Sequence, residues 1–475
     1  FSYFRVRKRK HKSFNMKKFG ISRRGFIGKA SVITAGTFLA GSSKVFSNTK
    51  KMSGELAILG GTPVHDRKAQ PWPTWPWMDN TVEETTMRSY KSGRWTRYEA
   101  QGLKISMVQK LEMELPKFVN AKYVRMTNAG TNALSTAVHA LNIGAGDEVI
   151  TSPYTDMGTI AAILSARALP IMADLNPLSY QLDPKDVEKK VTPRTKAIMP
   201  VHIMGVACDM DNIMRIANKH KLKVIEDSCQ AFMATHNGRP LGTIGDIGCL
   251  SFQASKVLGC GEGGAIFTNN EELANDAYTV LEHGTNYLKG GINVRIGPKY
   301  RMPEVVAAIL VGQLATHRER HDARNRNARF LDGKFNGFKG LLPQIKYGNG
   351  DGGYYSYALT YNQEVFEGIP IATFFKAMNA EGIPVSGYIA KGLNKDPWVD
   401  YITTLPEYKS LFSARRLKEF KEHAKNLPNC DKVCATVARI AGGGPMIAPL
   451  SYMEDFYNAA MKIYENREKL KAYKA

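Results

Sequence analysis

The sequence lacks a run of apolar residues long enough to cross a membrane. A bilayer-spanning helix needs about 20 consecutive apolar residues, and no apolar run in this chain of 475 residues approaches that length. Hydrophobic residues make up 43% and charged residues 23% of the chain, which is ordinary for a soluble globular protein. The composition therefore excludes an integral membrane protein, and the length favours a large domain with a smaller partner domain.

Cysteine is also scarce, and its spacing fits no metal site. The six cysteines include no pair at the short spacing typical of zinc ligands. They are Cys208, Cys229, Cys249, Cys260, Cys430 and Cys434. Because most of them lie in apolar or small-residue runs, we predict buried free thiols and no metal site.

Acidic residues are absent from the first 51 positions, which hold 14 lysines and arginines. This segment supplies most of the net charge of +22 and leaves +8 for residues 52–475. A mildly basic remainder is typical of a solvated surface, so we predict no nucleic-acid partner.

The same segment has the features of a twin-arginine export signal. Two lysines precede Ser22-Arg23-Arg24-Gly25-Phe26-Ile27, and an apolar run from Ala30 to Ala40 and small residues follow. We expect a signal within residues 1–47, a mature chain beginning near Asn48, and a periplasmic protein. The alternative is a basic tail with an accidental arginine pair on a cytoplasmic protein, and residues 1–15 precede a candidate initiator, Met16.

The rest of the chain predicts an arm and two α/β domains. Prolines crowd Pro71–Trp77, so residues 48–81 should form an extended arm. Residues 82–315 alternate short apolar runs with helix-length segments, which is typical of a mostly parallel sheet flanked by helices. The predicted strands are Tyr123–Thr127, Glu148–Ser152, Ile171–Ala173, Ala197–Val201, Lys223–Glu226 and Ile247–Phe252. Residues 316–475 should form a smaller α+β domain with a strand at Tyr354–Tyr361 and a helix near Ile371–Ala380.

One candidate functional residue is Asp227, which ends the apolar run of Val224-Ile225-Glu226-Asp227. Open α/β sheets bind ligands at the carboxyl ends of their strands, and an acid there needs a cationic partner. A pyridinium nitrogen is one such partner, because an aspartate beside it keeps the ring protonated. A helix cap and a metal ligand are the alternatives.

A second candidate is Lys256, which lies between a predicted strand and the glycine-rich run Gly259–Gly264. A lysine in such a turn can approach a cofactor closely and act as a nucleophile. An ordinary solvated lysine is the alternative.

A third candidate is the start of a predicted helix, Ala133–Leu141, with the preceding Thr127-Asn128-Ala129-Gly130-Thr131-Asn132. The backbone N–H groups of Gly130 and Thr131 would point at a phosphate, and the Thr131 hydroxyl would add a donor. An ordinary helix N-cap is the alternative.

Together these motifs resemble the DegT/DnrJ/EryC1/StrS aminotransferases, which act on keto-sugars and keto-cyclitols. The matching segments are Asn-Ala-Gly-Thr-Asn-Ala-Leu, Glu-Asp-Ser-Cys-Gln-Ala, and Ser-Phe-Gln-Ala-Ser-Lys followed by Gly-Glu-Gly-Gly. The resemblance covers about Leu56 to Ala460 and implies the type I fold of enzymes dependent on pyridoxal 5'-phosphate (PLP). Within the family, the arm Leu56–Pro63 and the Trp-Pro cluster are most similar to scyllo-inosose aminotransferases.

The resemblance also implies roles for single residues. Lys256 would hold PLP as a Schiff base and move the proton, and Asp227 would pair with the pyridine nitrogen. Gln230 would contact the ring hydroxyl, while Ser251, Gly130 and Thr131 would bind the phosphate. The family forms homodimers with shared active sites, so Lys299, in Gly297–Met302 of the neighbouring subunit, would complete the phosphate site.

This chain departs from the family pattern at the position of an aromatic residue that stacks on the cofactor ring. Asp156 occupies that position, so either Tyr154 substitutes or this face of the ring is handled differently. Phe232 and Met233 replace smaller residues, and we expect them to narrow the substrate space. Lys299 stands where asparagine is common.

We therefore predict a PLP-dependent aminotransferase that moves an amino group from glutamate or glutamine to a keto-sugar or keto-cyclitol. The family's dehydratases replace the lysine by histidine, and Lys256 argues against that chemistry. The alternative is a PLP-binding regulatory protein of the same fold that does not transaminate.

Overall fold

Seven strands in the described part of the chain form a central sheet. The computed structural model describes residues 54–98, 105–286 and 289–473, so the predicted export signal lies outside the described residues. The strands are β1 (Tyr123–Thr127), β2 (Glu148–Thr151), β3 (Leu169–Met172), β4 (Thr195–Met199), β5 (Lys223–Asp227), β8 (Ile247–Ser251) and β9 (Gly264–Thr268), with β6 (Thr235–His236) and β7 (Arg239–Pro240) forming a separate hairpin.

The central sheet is mostly parallel, as the sequence predicted. Its order is β1-β9-β8-β5-β4-β2-β3, and β9 runs antiparallel to its neighbours β1 and β8. The other adjacent pairs run parallel. All six predicted strands are present, with ends shifted by up to two residues. Strand β9 was missed because it begins at Gly264, the last residue of the glycine-rich run that the sequence predicted as a turn.

Helices cover both faces of this sheet. They include α4 (Gly130–Ala140), α5 (Met157–Ser165), α6 (Pro184–Lys189), α7 (Met210–His220) and α8 (Glu271–Leu281). Val149 and Ile225 pack with α4 and α8 in one core cluster, whereas Ile150, Ile198 and Val224 pack with α7 in another. Neighbouring residues of a strand point to opposite faces, so strands that are apolar throughout indicate a sheet buried on both sides.

A second, antiparallel sheet follows in the chain. Its strands lie in the order β12-β13-β15-β14 and are β12 (Leu341–Pro343), β13 (Ser356–Tyr361), β14 (Val385–Ser386) and β15 (Val437–Ala441). Helices α10 (His317–Phe335), α11 (Ile371–Ala380) and α16 (Leu450–Glu465) share its apolar core. The predicted strand and helix of this region are confirmed, and α11 has the predicted bounds. The domain boundaries at residues 82 and 316 stay predictions.

Shorter elements complete the described chain. They are the helices α1 (Asn80–Lys91), α2 (Met107–Glu114), α3 (Pro116–Val119), α9 (Glu304–Leu314), α12 (Trp398–Ile402), α13 (Pro406–Leu411), α14 (Ala414–Lys425), α15 (Pro428–Thr436) and α17 (Arg467–Lys471), the strands β10 (Thr285–Asn286) and β11 (Ile292–Asn293), and the 3-10 turns Ala57–Leu59, Ile203–Gly205, Leu393–Lys395 and Pro445–Ile447. Among the described helices, none has both the length and the apolar character needed to span a bilayer.

The arm preceding α1 is anchored through a buried ion pair. Glu381, which is fully buried, accepts hydrogen bonds from the backbone N–H groups of Ala57 (2.8 Å) and Val64 (3.0 Å). Lys462 Nζ lies 3.0 Å from the same carboxylate and donates to the carbonyl of Thr62 at 2.9 Å. These contacts hold the beginning of the arm against α11 and α16.

The cysteines carry free thiols, as predicted. Cys208, Cys249, Cys260 and Cys430 are buried, and the other two are partly buried. Burial raises the pKa of the Cys249 thiol well above its ordinary value, so this thiol stays protonated near neutral pH.

Candidate active site

The carboxyl ends of the central strands meet at a cavity of about 480 Å³. Six of the seven residues singled out in the sequence line it: Gly130, Thr131, Asp227, Gln230, Ser251 and Lys256. They come from the ends of β5 and β8, the start of α4 and the turn after β8. Parallel strands bring these ends to one edge of the sheet, so segments distant in the chain converge there.

The start of α4 lies at the cavity and can offer backbone donors to an anion. Ala129, the residue before the helix, provides no side-chain cap within the described structure, so the backbone N–H groups of the first turn are available to a ligand. A Cβ at Gly130 would lie 2.6 Å from Ser251 Cβ and 3.0 Å from Ser251 Oγ. Glycine is therefore required for the helix start to approach Ser251 closely.

Asp227 is buried at the end of β5, and two donors hold its carboxylate. Thr159 Oγ1 donates to Oδ2 at 2.8 Å, and the N–H of Cys229 donates to Oδ1 at 3.1 Å. The hydroxyls of Thr159 and Thr155 are 2.8 Å apart, which extends this network to the segment before α5. The contacts fix the carboxylate at the cavity wall, where Asp227 is 3% exposed.

The neighbouring acid, Glu226, is bound by donors of the protein itself. Successive strand residues point to opposite faces, and Glu226 accepts hydrogen bonds from His202 Nε2 (3.0 Å) and from the N–H groups of Gly242, Ile244 and Gly245 (2.6–2.7 Å). Burial raises the pKa of Glu226, but the His202 hydrogen bond and the backbone donors outweigh it and lower this pKa below its ordinary value. Asp227 is therefore the acid that the strand presents to the cavity.

Lys256 reaches the cavity from the turn after β8. Its backbone N–H donates to the carbonyl of Gln253 at 2.8 Å, which closes the turn. Its Nζ lies 4.6 Å from the centre of the Tyr355 ring, a distance typical of a cation–π contact. Tyr355, Glu262 and Ser255 line the same cavity as Lys256.

Gln230 is held in one orientation by two partners. Its Oε1 accepts from the N–H of Met204 at 2.8 Å, and its Nε2 donates to the hydroxyl of Tyr388 at 2.8 Å. Because its amide group has a fixed direction, Gln230 presents a defined polar edge to the cavity. Tyr388 also lines the cavity and comes from the segment after β14.

Asp156 lines the cavity but acts as the N-cap of α5. Its Oδ1 accepts from the N–H of Gly158 at 2.8 Å. Tyr154 is fully buried, packs edge-on against Tyr388 at 5.8 Å, and is not among the described residues that line the cavity. The geometry does not support Tyr154 as the substitute for a ring-stacking residue. Tyr355 and Tyr388 are the aromatic residues among the described lining residues.

The expectation that Phe232 and Met233 narrow the substrate space is wrong. Phe232 packs against Phe118 (6.1 Å), Phe252 (6.4 Å) and His317 (4.9 Å) between ring centres. Neither Phe232 nor Met233 is among the described lining residues. The physical reason is apolar burial: the Phe232 ring enters the core cluster formed by β1, β8 and α9.

Lys299 is not among the described residues that line the cavity of its own chain. Its side chain is exposed, and its backbone pairs with Glu282. The next residue, Tyr300, accepts a 2.9 Å hydrogen bond from the N–H of Asn128. The structure thus gathers six predicted residues and leaves the seventh at the surface.

The sequence interpretation missed Thr155, Thr159, Glu262, Tyr355 and Tyr388, all of which line the cavity. Thr159 had a usable signal, because it lies one turn into the helix that follows β2. Tyr355 and Tyr388 had none, since they belong to segments about 100 or more residues away from Lys256 and Gln230, respectively.

This fold and site define a PLP-dependent transferase of type I fold. A mostly parallel sheet presents an uncapped helix start, a strand-end aspartate and a turn lysine to one cavity. These residues fit the cofactor, because the glycine-lined start of α4 can receive its phosphate and Asp227 offers a carboxylate for its ring nitrogen.

The chain belongs to the DegT/DnrJ/EryC1/StrS aminotransferase family, whose sequence profile matches residues 79–419. The L-glutamine:2-deoxy-scyllo-inosose aminotransferase of Streptoalloteichus tenebrarius is 34% identical over 348 residues, which cover 70% of this chain and 81% of the relative. The L-glutamine:scyllo-inosose aminotransferase of Streptomyces griseus is 29% identical over 428 residues, 87% of this chain and 99% of the relative.

A solved structure has the same fold. The aminotransferase from Psychrobacter cryohalolentis superposes with a TM-score of 0.71 at 25% identity, covering 84% of this chain and all of that one. The chain is therefore an aminotransferase whose cofactor is PLP. The type I fold predicted from the sequence is confirmed.

Proposed function

We propose that this aminotransferase moves an amino group from glutamine or glutamate to a keto-cyclitol or keto-sugar, with Lys256 as the catalytic lysine. The observation that carries the proposal is the convergence of Lys256, Asp227 and the uncapped start of α4 on one cavity. The relatives named above, which are L-glutamine-dependent aminotransferases of scyllo-inosose compounds, support this choice of substrates.

Each residue has a separate task in this proposal. Gly130, Thr131 and Ser251 would bind the phosphate through backbone N–H and hydroxyl groups, and the amide of Gln230 would contact the ring hydroxyl. Asp227, positioned by Thr159, would pair with the ring nitrogen, and the cofactor would supply an electron sink for the substrate carbon. Lys256 Nζ would hold the cofactor covalently at rest and would move the proton at the substrate carbon.

An absorption spectrum of the purified protein tests this proposal. The cofactor band of the wild-type protein should shift when glutamine or glutamate is added, and an added keto-cyclitol such as 2-deoxy-scyllo-inosose should reverse the shift. A band that neither donor changes would favour the alternative, a cofactor-binding regulatory protein.

A lysine variant tests the assignment of Lys256 directly. Borohydride treatment followed by peptide mass spectrometry should find the cofactor attached to Lys256 in the wild-type protein. Lys256→Ala should abolish both the attachment and turnover, whereas Lys122→Ala, at an exposed lysine, should change neither. Full activity in the Lys256→Ala protein would exclude this lysine from the mechanism.

We further propose a homodimer in which Lys299 of one subunit completes the phosphate site of the other. The segment before Lys299 exposes three apolar side chains: Ile292 (56%), Val294 (46%) and Ile296 (99%). Exposed apolar groups this close together are typical of interaction surfaces. Inactive Lys256→Ala and Lys299→Ala proteins, mixed to form heterodimers, should regain part of the activity; verified heterodimers without activity would contradict shared sites.

We also propose export to the periplasm through the twin-arginine signal at Arg23 and Arg24. Such signals carry folded proteins, and a PLP enzyme must fold to capture its cofactor. Replacing both arginines by lysine should retain the uncut precursor in the cytoplasm. An unmodified protein found entirely in the cytoplasm with an uncut N-terminus would contradict export.

A further inference from the structure

Trp75, in the arm before α1, contacts the turn that carries Lys256. Its Nε1–H lies 3.2 Å from the carbonyl oxygens of both Ala254 and Lys256. One indole donor is thus shared between two carbonyls on either side of Ser255. The arm residue and the turn are separated by about 180 positions in the chain, so the contact is a product of the tertiary fold.

The indole ring of Trp75 packs in one position. A Cβ at Gly443 would lie 2.7 Å from the Trp75 ring, so the ring lies directly on this glycine. Arg324, which is fully buried, lies with its guanidinium carbon 5.8 Å from the ring centre. Glycine on one side and a cation near the ring restrict the directions in which the indole N–H can point.

The same turn is bound at further carbonyls by buried side chains. Arg324 Nη2 donates to the carbonyl of Val257 at 3.1 Å, and its Nε donates to Gly442 at 2.8 Å. Gln313 Nε2 donates to the carbonyl of Gly259 at 2.7 Å. The turn lies beyond the end of β8, so these side chains supply hydrogen bonds that the sheet does not.

We propose that Trp75 is a positioning residue for Lys256, acting through the backbone of the turn rather than by touching substrate or cofactor. The carbonyl that Trp75 binds belongs to Lys256 itself. A hydrogen bond that holds this carbonyl also restricts the direction in which the Lys256 side chain leaves the backbone. This inference rests on the role proposed above for Lys256. Proton transfer depends steeply on geometry, since a displacement of about 1 Å can cost on the order of a hundredfold in rate.

The variant Trp75→Phe keeps a ring on Gly443 and removes the shared donor. Trp72→Phe is the matched control, because Trp72 donates to the carbonyl of Gly382 at 3.1 Å and its ring contacts His65 at a tilt and Tyr452 edge-on, away from the turn. In cofactor-free protein, hydrogen exchange of peptides covering residues 253–261 should be faster in Trp75→Phe than in the wild type. Trp72→Phe should leave these peptides unchanged.

Kinetics with glutamine deuterated at the α-carbon provides the second measurement. Trp75→Phe should lower kcat about tenfold, increase the isotope effect on kcat and leave KM for the donor within about twofold. Melting temperature and cofactor content should match those of Trp72→Phe. This combination indicates a slower proton transfer and not a damaged fold.

Two results would overturn the inference. One is a Trp75→Phe protein whose hydrogen exchange and isotope effect equal those of the wild type. The other is a Trp75→Phe protein whose loss of activity only follows a fall in melting temperature. The Lys256→Ala protein separates the two proposals: if it retains activity, the assignment of Lys256 fails, whereas an inactive Lys256→Ala protein beside a fully normal Trp75→Phe protein refutes the role of Trp75 alone.

Discussion

The hydroxyl of Thr159 donates a 2.8 Å hydrogen bond to Oδ2 of Asp227, and both residues line the cavity. A hydrogen bond to a charged group contributes about 1.5–3 kcal/mol, so Thr159 holds in place the Asp227 carboxylate that we propose to face the cofactor ring. Thr159→Val keeps the shape of the side chain and removes the donor. We expect kcat to fall on the order of tenfold or more, with a smaller loss of cofactor affinity.

Thr159→Ser is the matched control for this prediction, since serine retains the hydroxyl. Steady-state kinetics and cofactor titration of the two variants provide the measurement. Equal activity of the valine and serine variants would show that the hydrogen bond does not support Asp227.

The close approach of Gly130 to Ser251 predicts a loss of cofactor binding in Gly130→Ala. The added Cβ would lie 2.6 Å from Ser251 Cβ, so the start of α4 or the end of β8 must shift. We expect cofactor affinity to fall at least tenfold while the described fold is retained, because the strain is local. Gly144→Ala is the control, since a Cβ there meets no atom within 4 Å. Equal cofactor affinity in the two variants would contradict an anion site at this helix start.

The buried pair of Lys462 and Glu381 predicts a stability effect at the arm. Lys462→Met leaves the fully buried Glu381 carboxylate without its cation, although the backbone donors of Ala57 and Val64 remain. Removing one partner of a buried ion pair costs about 3–5 kcal/mol, and we expect the melting temperature to fall accordingly. Lys469→Met, at an exposed lysine in α17, should leave it unchanged.

A double variant separates charge from packing in that experiment. Glu381→Gln with Lys462→Met removes both charges, so it should be more stable than Lys462→Met alone. A double variant that is less stable would show that packing, and not the unpaired carboxylate, causes the loss.

The lowered pKa of the buried His321 predicts that the protein loses stability in acid. Burial, with a contribution from the Arg324 charge, lowers the pKa of His321 from 6.5 to about 4. Below pH 6.5 His321 is protonated in the unfolded chain, whereas in the folded protein it becomes protonated only near pH 4. Stability therefore falls as the pH falls through this window, by up to about 3 kcal/mol from this residue.

The measurement is the melting temperature of the wild type and of His321→Gln between pH 7.5 and 4, a range set by the pKa window above. Glutamine can still accept the hydrogen bond that Asn325 donates to His321, and it does not titrate, so the variant should lose less stability on acidification. His423→Gln, at an exposed histidine, should follow the wild type. Identical pH profiles for wild type and His321→Gln would contradict this contribution.

The sequence by itself determined the mostly parallel sheet, and six of the seven site residues predicted from it line the cavity. Ser251 and Gln230 were predicted from the family resemblance, whereas Asp227 and the pair Gly130-Thr131 have a local signal: each adjoins a strand end, and parallel strands place these ends at one edge. An apolar run followed by a polar residue thus carries information about both the fold and the site. Lys256 was found in the same way, from the turn that follows its strand.

The tertiary structure alone decided which other side chains reach the cavity and which do not. Gln230 meets Tyr388, Lys256 meets Tyr355, and Trp75 meets the Lys256 turn across long separations in the chain. Phe232 follows the Asp227 motif closely, yet its ring enters the core. Such contacts depend on how separate elements pack and on where each apolar side chain finds burial. The sequence neighbours of a residue do not specify these contacts, because close packing depends on which residues are neighbours in space.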